Sequence, residues 1–184
     1  MIQRSMLFNH LLPLGRGSSR FGTGRGGSLN QYPLTPNPSP QGEKGVNPGY
    51  PMFRVTKELK FCFGHRLMDY DGKCRNLHGH NARVAVTVES AKLDAHGMVR
   101  DFSALRREIG DWIDATLDHK MILHERDPFV RVLRELGDPV LTLPDHPTTE
   151  NLAKFIYEHV RSTGYPVVEV TLWETPTSSA TYAE

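Results

Sequence analysis

The chain has 184 residues, 38% hydrophobic and 23% charged, with a formal net charge of +1; this is an ordinary globular composition with enough chain for one domain and a real core. No apolar run approaches the roughly 20 residues of a membrane helix, and the near-zero net charge gives no nucleic-acid surface. Two cysteines, Cys62 and Cys74, are too few for a disulfide framework and suit a reducing, cytoplasmic setting.

The average hides a split. Residues 1–50 hold five of the 22 basic residues (Arg4, Arg16, Arg20, Arg25, Lys44) and one of the 21 acids, Glu43, which leaves the remainder near −3. Residues 15–27 (GRGSSRFGTGRGG) and 33–49 (PLTPNPSPQGEKGVNPG) lack strand or helix periodicity and bury too little apolar surface to offset their chain entropy. Residues 1–51 are therefore expected to be a disordered low-complexity head that activity does not need. An over-called reading frame, with Met52 as the true start, explains them better than an Arg- and Ser-rich transit segment. Residues 52–184 form the expected folded domain.

Residues 53–65 (FRVTKELKFCFGH) alternate, with Val55, Leu59, Phe61, Phe63 and His65 on one face. Residues 80–90 alternate too, with His80, Ala82, Val84, Val86 and Val88 together. An antiparallel hairpin with Phe61 opposite Val84 puts Phe63 opposite Ala82 and His65 opposite His80. His78 projects from the same face as His80. Opposed Cβ atoms are about 4.5–5.5 Å apart, so three imidazoles converge at one end of the hairpin. Three neutral imidazoles with one open position are a known set for catalytic Zn²⁺. Cys74 is either a fourth ligand that closes the site or a free reactive thiol beside it. Cys62 points away from the histidines and reads as structural.

Ser103 is the expected N-cap of a helix whose apolar face is Leu105, Ile109, Trp112, Ile113 and Leu117. At its end, Asp118 and His119 are either an acid/base pair or a dipole-favoured surface histidine. Residues 120–146 read as loop with a short apolar stretch, Val140–Leu143. Thr148, Thr149 and Glu150 then start a helix with the stripe Leu152, Phe155, Ile156 and Val160, and Gly164 stops it. Residues 167–174 (VVEVTLWE) form a strand with Val168, Val170 and Leu172 on one face, continued by Glu174. A carboxylate there ends the strand at solvent or meets a ligand offering two parallel N–H donors. Residues 179–183 add a last strand. The expectation is an α+β fold of order ββααββ: a four-stranded antiparallel sheet with two helices on one face.

Six segments occur in this order: FCFGHRL (61–67), CRNLHGHN (74–81), GMVRDF (97–102), LDH (117–119), PTTENLA (147–153) and ET (174–175). Together they resemble the 6-pyruvoyltetrahydropterin synthase and 6-carboxytetrahydropterin synthase family over residues 53–183. The resemblance implies the tunnelling fold and a homo-oligomer, a hexamer of two trimers with active sites between subunits. It implies zinc on His65, His78 and His80, and a catalytic thiol at Cys74. Asp118 and His119 would be the acid/base pair. Glu174 would anchor the pterin, with Thr148 and Thr149 nearby. Three residues, Arg75, Asn76 and Leu77, separate Cys74 from HGH, the spacing of the carboxy-forming branch, in which a pterin triphosphate becomes 6-carboxy-5,6,7,8-tetrahydropterin on the way to queuosine. The pyruvoyl-forming branch and a non-catalytic zinc-stabilised binding domain are the other readings. Arg66, Lys73 and Lys120 are bases that could meet the triphosphate, although surface solvation is the favoured role for each. One departure from the family pattern is Cys62-Phe63-Gly64, where small residues are usual.

Overall fold

The structure is a computed structural model and describes residues 51–184. All of the head except Pro51 lies outside the described residues. Strands β1 (Phe53–His65) and β2 (His78–Ser90) form the long antiparallel hairpin that the alternation requires. Its register differs from the expected one by two residues. Leu59 faces Val84, Phe61 faces Ala82, Phe63 faces His80 and His65 faces His78. A two-residue slip keeps every side chain on its face, so alternation cannot detect it.

Helix α1 (Phe102–Thr116) follows, capped by Asp101, whose carboxylate accepts from Ser103 N–H at 2.8 Å; Asp101, not Ser103, is the cap. Residues 120–146 are not a loop. They form β3 (Lys120–His124), α2 (Phe129–Leu136) and β4 (Val140–Leu143). The core of β3, Ile122-Leu123, is fully buried, and strands buried on both faces do not alternate. Gly137, at φ +87°, ends α2 in the left-handed conformation glycine favours. Helix α3 (Thr149–Ser162) is capped by Thr148, and β5 (Val167–Thr175) and β6 (Ser178–Ala183) complete the chain.

The sheet therefore has six strands in the order β4-β3-β1-β2-β5-β6. It is mixed: β3 runs parallel to β1, and β4 parallel to β3. With three α-helices, this corrects the four-stranded antiparallel ββααββ expectation. The core joins one sheet face (Phe61, Val84, Val86, Val88, Val170, Leu172) to α1 (Leu105, Ile109, Ile113) and α3 (Leu152, Ile156, Val160). Each such side chain contributes about 1.5–3 kcal/mol by burial. This clamps the hairpin along most of its length, so the histidine-bearing end is held by a rigid scaffold.

Candidate metal and acid-base site

His65 is the last residue of β1 and His78 the first of β2, so the ladder places them opposite one another. His80 lies two residues further on the same face. The β2–β5 ladder runs to Arg83 opposite Trp173, which brings Glu174 level with Ala82 and diagonal to His80. One ligand atom from each of His65, His78, His80 and Glu174 lies within 4.8 Å of the others.

The outer edge of each ring sets its tautomer. His65 Nδ1 donates to the Pro147 carbonyl at 2.7 Å, and His78 Nδ1 to the Asn76 carbonyl at 2.8 Å. A carbonyl only accepts, so both Nδ1 atoms carry protons and both Nε2 atoms turn lone pairs inward in the neutral rings. Those Nε2 atoms are 3.2 Å apart. His80 Nε2 is buried and makes no hydrogen bond, although Glu174 Oε1 lies 2.6 Å away. Glu174 Oε1 is also 3.3 Å from His65 Nε2. Lone pairs converging on one point, with an orphaned buried nitrogen among them, fit a bound cation. Three imidazoles and a carboxylate suit a borderline ion such as zinc.

Protonation states agree. His65 is 3% exposed, and burial pushes its pKa below the ordinary value despite the Pro147 carbonyl and Glu174. Burial would raise the Glu174 pKa; the Thr149 hydroxyl and the three histidines outweigh it and hold the carboxyl below its ordinary value. A neutral imidazole and an ionised carboxylate are the forms that bind metal.

The PTTEN segment thereby acquires three structural tasks. The Pro147 carbonyl orients His65. The Thr148 hydroxyl caps α3 by accepting from Asn151 N–H at 3.3 Å. The Thr149 hydroxyl donates to Glu174 Oε2, leaving Oε1 for the cluster. The family resemblance implied that Thr149 lies near Glu174; neither it nor the residue pattern placed Glu174 beside the histidines.

Cys74 lies in a one-turn 3₁₀ helix, Lys73–Arg75, half-buried and outside the convergent ligand group. Of its two sequence readings, the free thiol is the one this placement favours.

Asp118 and His119 are tied to the β1 backbone at Cys62. His119 Nδ1 donates to Asp118 Oδ2 at 2.6 Å. Asp118 Oδ1 accepts Cys62 N–H at 2.7 Å, and His119 N–H donates to the Cys62 carbonyl at 2.7 Å. The Cys62 amide, and next the His119 ring against the cost of burial, hold the Asp118 pKa below its ordinary value. His119 takes a left-handed φ of 55° and leaves its ring 79% exposed. A non-glycine residue held there is a recurrent mark of a functional position. The ring borders a cleft of about 630 Å³ lined also by Cys62, Gly64, His78, His80, Asn81 and Met121. Cys62 and Asn81 point away from the histidine face, and Cys62 Sγ donates to Asn81 Oδ1 at 2.9 Å. Nothing in the sequence signalled that Cys62 clamps the dyad.

Arg66 does not stand free for an anion: its guanidinium is bonded to buried Asp127. Burial would raise the Asp127 pKa, but Arg66 and the Phe129 amide hold it below the ordinary value.

Residues 54–184 match the 6-pyruvoyl tetrahydropterin synthase family, and the chain belongs to that family of enzymes. It is 31% identical over 132 residues to the 6-carboxy-5,6,7,8-tetrahydropterin synthase of Rickettsia bellii, covering 68% of this chain and 96% of the relative. It is 34% identical over 142 residues to the enzyme of that name from Haemophilus influenzae, covering 72% and 100%. Among solved structures, the 6-pyruvoyl tetrahydropterin synthase of Caenorhabditis elegans superposes with a TM-score of 0.56 at 27% identity, covering 73% of this chain and 96% of that one.

Proposed function

We propose that this protein converts 7,8-dihydroneopterin triphosphate and water to 6-carboxy-5,6,7,8-tetrahydropterin, releasing acetaldehyde and triphosphate, as a carbon–carbon lyase of queuosine biosynthesis in the cytoplasm. The observation that carries this reading is the convergence of His65, His78, His80 and Glu174 Oε1 on one point, in a chain at least 30% identical to proteins named for that reaction. The three-residue spacer between Cys74 and the HGH segment favours this product over the pyruvoyl one.

His65, His78 and His80 would hold zinc, and Glu174 has a carboxylate in reach of the same ion. Bound there, zinc supplies Lewis-acid stabilisation of charge that develops on a substrate oxygen. The chain's own groups do the rest. Cys74, as thiolate, takes a proton from the substrate side chain. His119, with Nδ1 held by Asp118, has Nε2 free to accept or return a proton. Glu174, kept ionised and oriented by Thr149, is also the acceptor for the amino-pyrimidine edge; Thr148 fixes the helix start beside it. Lys73 and Lys120 stay open to the triphosphate, with surface solvation the favoured role for each.

Asp118 and His119 are bonded to the backbone of Cys62, whose side chain lies on the strand face opposite His65. This supports a site assembled between copies, in which Asp118 and His119 of one subunit serve the metal of another. A homo-oligomer, a hexamer of two trimers, is the assembly we propose. Residues 52–184 are the catalytic domain and residues 1–51 are dispensable.

The test is to incubate the zinc-loaded full chain with 7,8-dihydroneopterin triphosphate and identify products by mass spectrometry. Carboxytetrahydropterin with acetaldehyde supports the reading. Pyruvoyltetrahydropterin moves the chain to the sister reaction. Absence of any product from folded, zinc-loaded protein overturns both and leaves a zinc-stabilised binding domain.

A further inference from the structure

Arg66 follows His65 directly, and its guanidinium is held on three sides. Nε donates to Asp127 Oδ2 and Nη2 to Asp127 Oδ1, both at 2.7 Å. The guanidinium carbon lies over the Phe129 ring, 4.4 Å from its centroid. The Asp127 side chain is 0% exposed, and its Oδ1 also accepts Phe129 N–H at 2.9 Å, which fixes the start of α2. A buried carboxylate with a two-bonded arginine partner is a rigid unit, because breaking the pair leaves an uncompensated charge.

The remaining nitrogen of that rigid guanidinium, Nη1, donates to the Arg75 carbonyl at 3.4 Å. Arg75 is the last residue of the turn that carries Cys74. A second tie runs from Leu67 N–H to the Cys74 carbonyl at 2.8 Å. The other hydrogen bonds of the turn are local: Arg75 N–H to Gly72 and Asn76 N–H to Lys73. A one-turn 3₁₀ helix has no stability of its own, so its position is set by what it is tied to.

We propose that Arg66 and Asp127 are positioning residues for Cys74. Asp127 and Phe129 orient the Arg66 guanidinium, and the guanidinium holds the Arg75 carbonyl and with it the turn that presents the thiol. The arrangement makes α2 part of the thiol's support. A lysine at position 66 keeps a charge for Asp127 but lacks the planar fork that bonds carboxylate and carbonyl together. The inference rests on the reading of Cys74 as the reacting thiol.

The experiment compares the zinc-loaded full chain with its Arg66→Lys and Asp127→Asn variants. Hydrogen–deuterium exchange is followed by mass spectrometry in peptides covering 67–77, 78–90 and 129–136, beside steady-state kinetics. In Arg66→Lys, exchange in 67–77 rises about tenfold while 78–90 is unchanged. kcat falls about 10- to 100-fold and KM stays within about twofold, the mark of a displaced reacting group rather than lost substrate binding. Asp127→Asn reproduces the rise in 67–77 and adds one in 129–136. An unchanged 67–77 in Arg66→Lys overturns the proposal, as does an equal rise in all three peptides. So does a loosened turn with kcat intact. If the wild-type chain itself turns nothing over, the functional reading fails, while the exchange data still decide whether Arg66 holds the turn.

Discussion

His65 and His78 face one another at the last rung of the β1–β2 ladder, with Nε2 atoms 3.2 Å apart and both Nδ1 protons committed to backbone carbonyls. With those protons so committed, two lone pairs oppose each other there, and His80 Nε2 is an orphan beside them. A bound ion converts this repulsion into ligation. Stripping the metal with a chelator is expected to lower the melting temperature by roughly 5–10 °C, the shift for an ion held at about 100 times its Kd. His80→Ala should abolish both the metal content, read by elemental analysis, and the chelator-sensitive shift.

Cys74 and His119 should separate from the metal ligands in the same assay. Cys74→Ala is expected to lose turnover by at least about 10³-fold and His119→Ala by about 10²–10⁴-fold, each with its zinc content intact. Zinc loss in Cys74→Ala would assign the thiol to the metal instead.

Gly64 faces Gly79 across the hairpin, and a Cβ on Gly64 would overlap the Met121 Sδ and lie 3.3 Å from the His78 carbonyl. The methionine end is flexible, so Gly64→Ala should fold with a stability loss under about 1.5 kcal/mol in urea unfolding. The displaced Met121 goes into the cleft that His119 borders. The expected kinetic effect is a raised KM, relieved when Met121→Ala is added.

Asp127 yields a pH prediction. Its folded pKa lies below the ordinary value of 3.8, so its contribution to stability is complete above that value and disappears as pH falls through the folded pKa. At pH 7, Asp127→Asn should cost roughly 3 kcal/mol, as breaking a buried pair does. The difference between wild type and variant should begin to shrink as pH falls below about 4, where the unfolded carboxyl protonates, and close only as pH falls through the lower folded pKa. A constant difference from pH 7 to pH 3 in urea unfolding would show that Asp127 does not titrate with the fold.

Much of the site was legible in residue order. The faces of β1 and β2, the convergence of His65, His78 and His80, and the start of α3 within the Thr148–Thr149–Glu150 segment all follow from local alternation and capping chemistry. The hairpin register was not legible, because a slip of two residues leaves every face unchanged. Segment 120–146 hid two strands and a helix, since β3 is short, buried and parallel and so shows no alternation. Glu174 could be placed on the inward face of its strand by counting. That its Oε1 lies 2.6 Å from His80 Nε2 depends on β5 pairing with β2 across more than 80 residues of chain.

The division follows the range of the forces involved. Side-chain alternation, helix capping and the clustering of His78, His80 and Cys74 are set within a few residues, so the chain's order determines them and with them the chemistry on offer. Which groups meet is set by pairing between distant segments. The Cys62 clamp on Asp118, the Pro147 carbonyl behind His65 and the Arg66–Asp127 pair each join residues more than 50 positions apart. Their partners are chosen by the packing of the whole sheet and its helices, which no local pattern encodes.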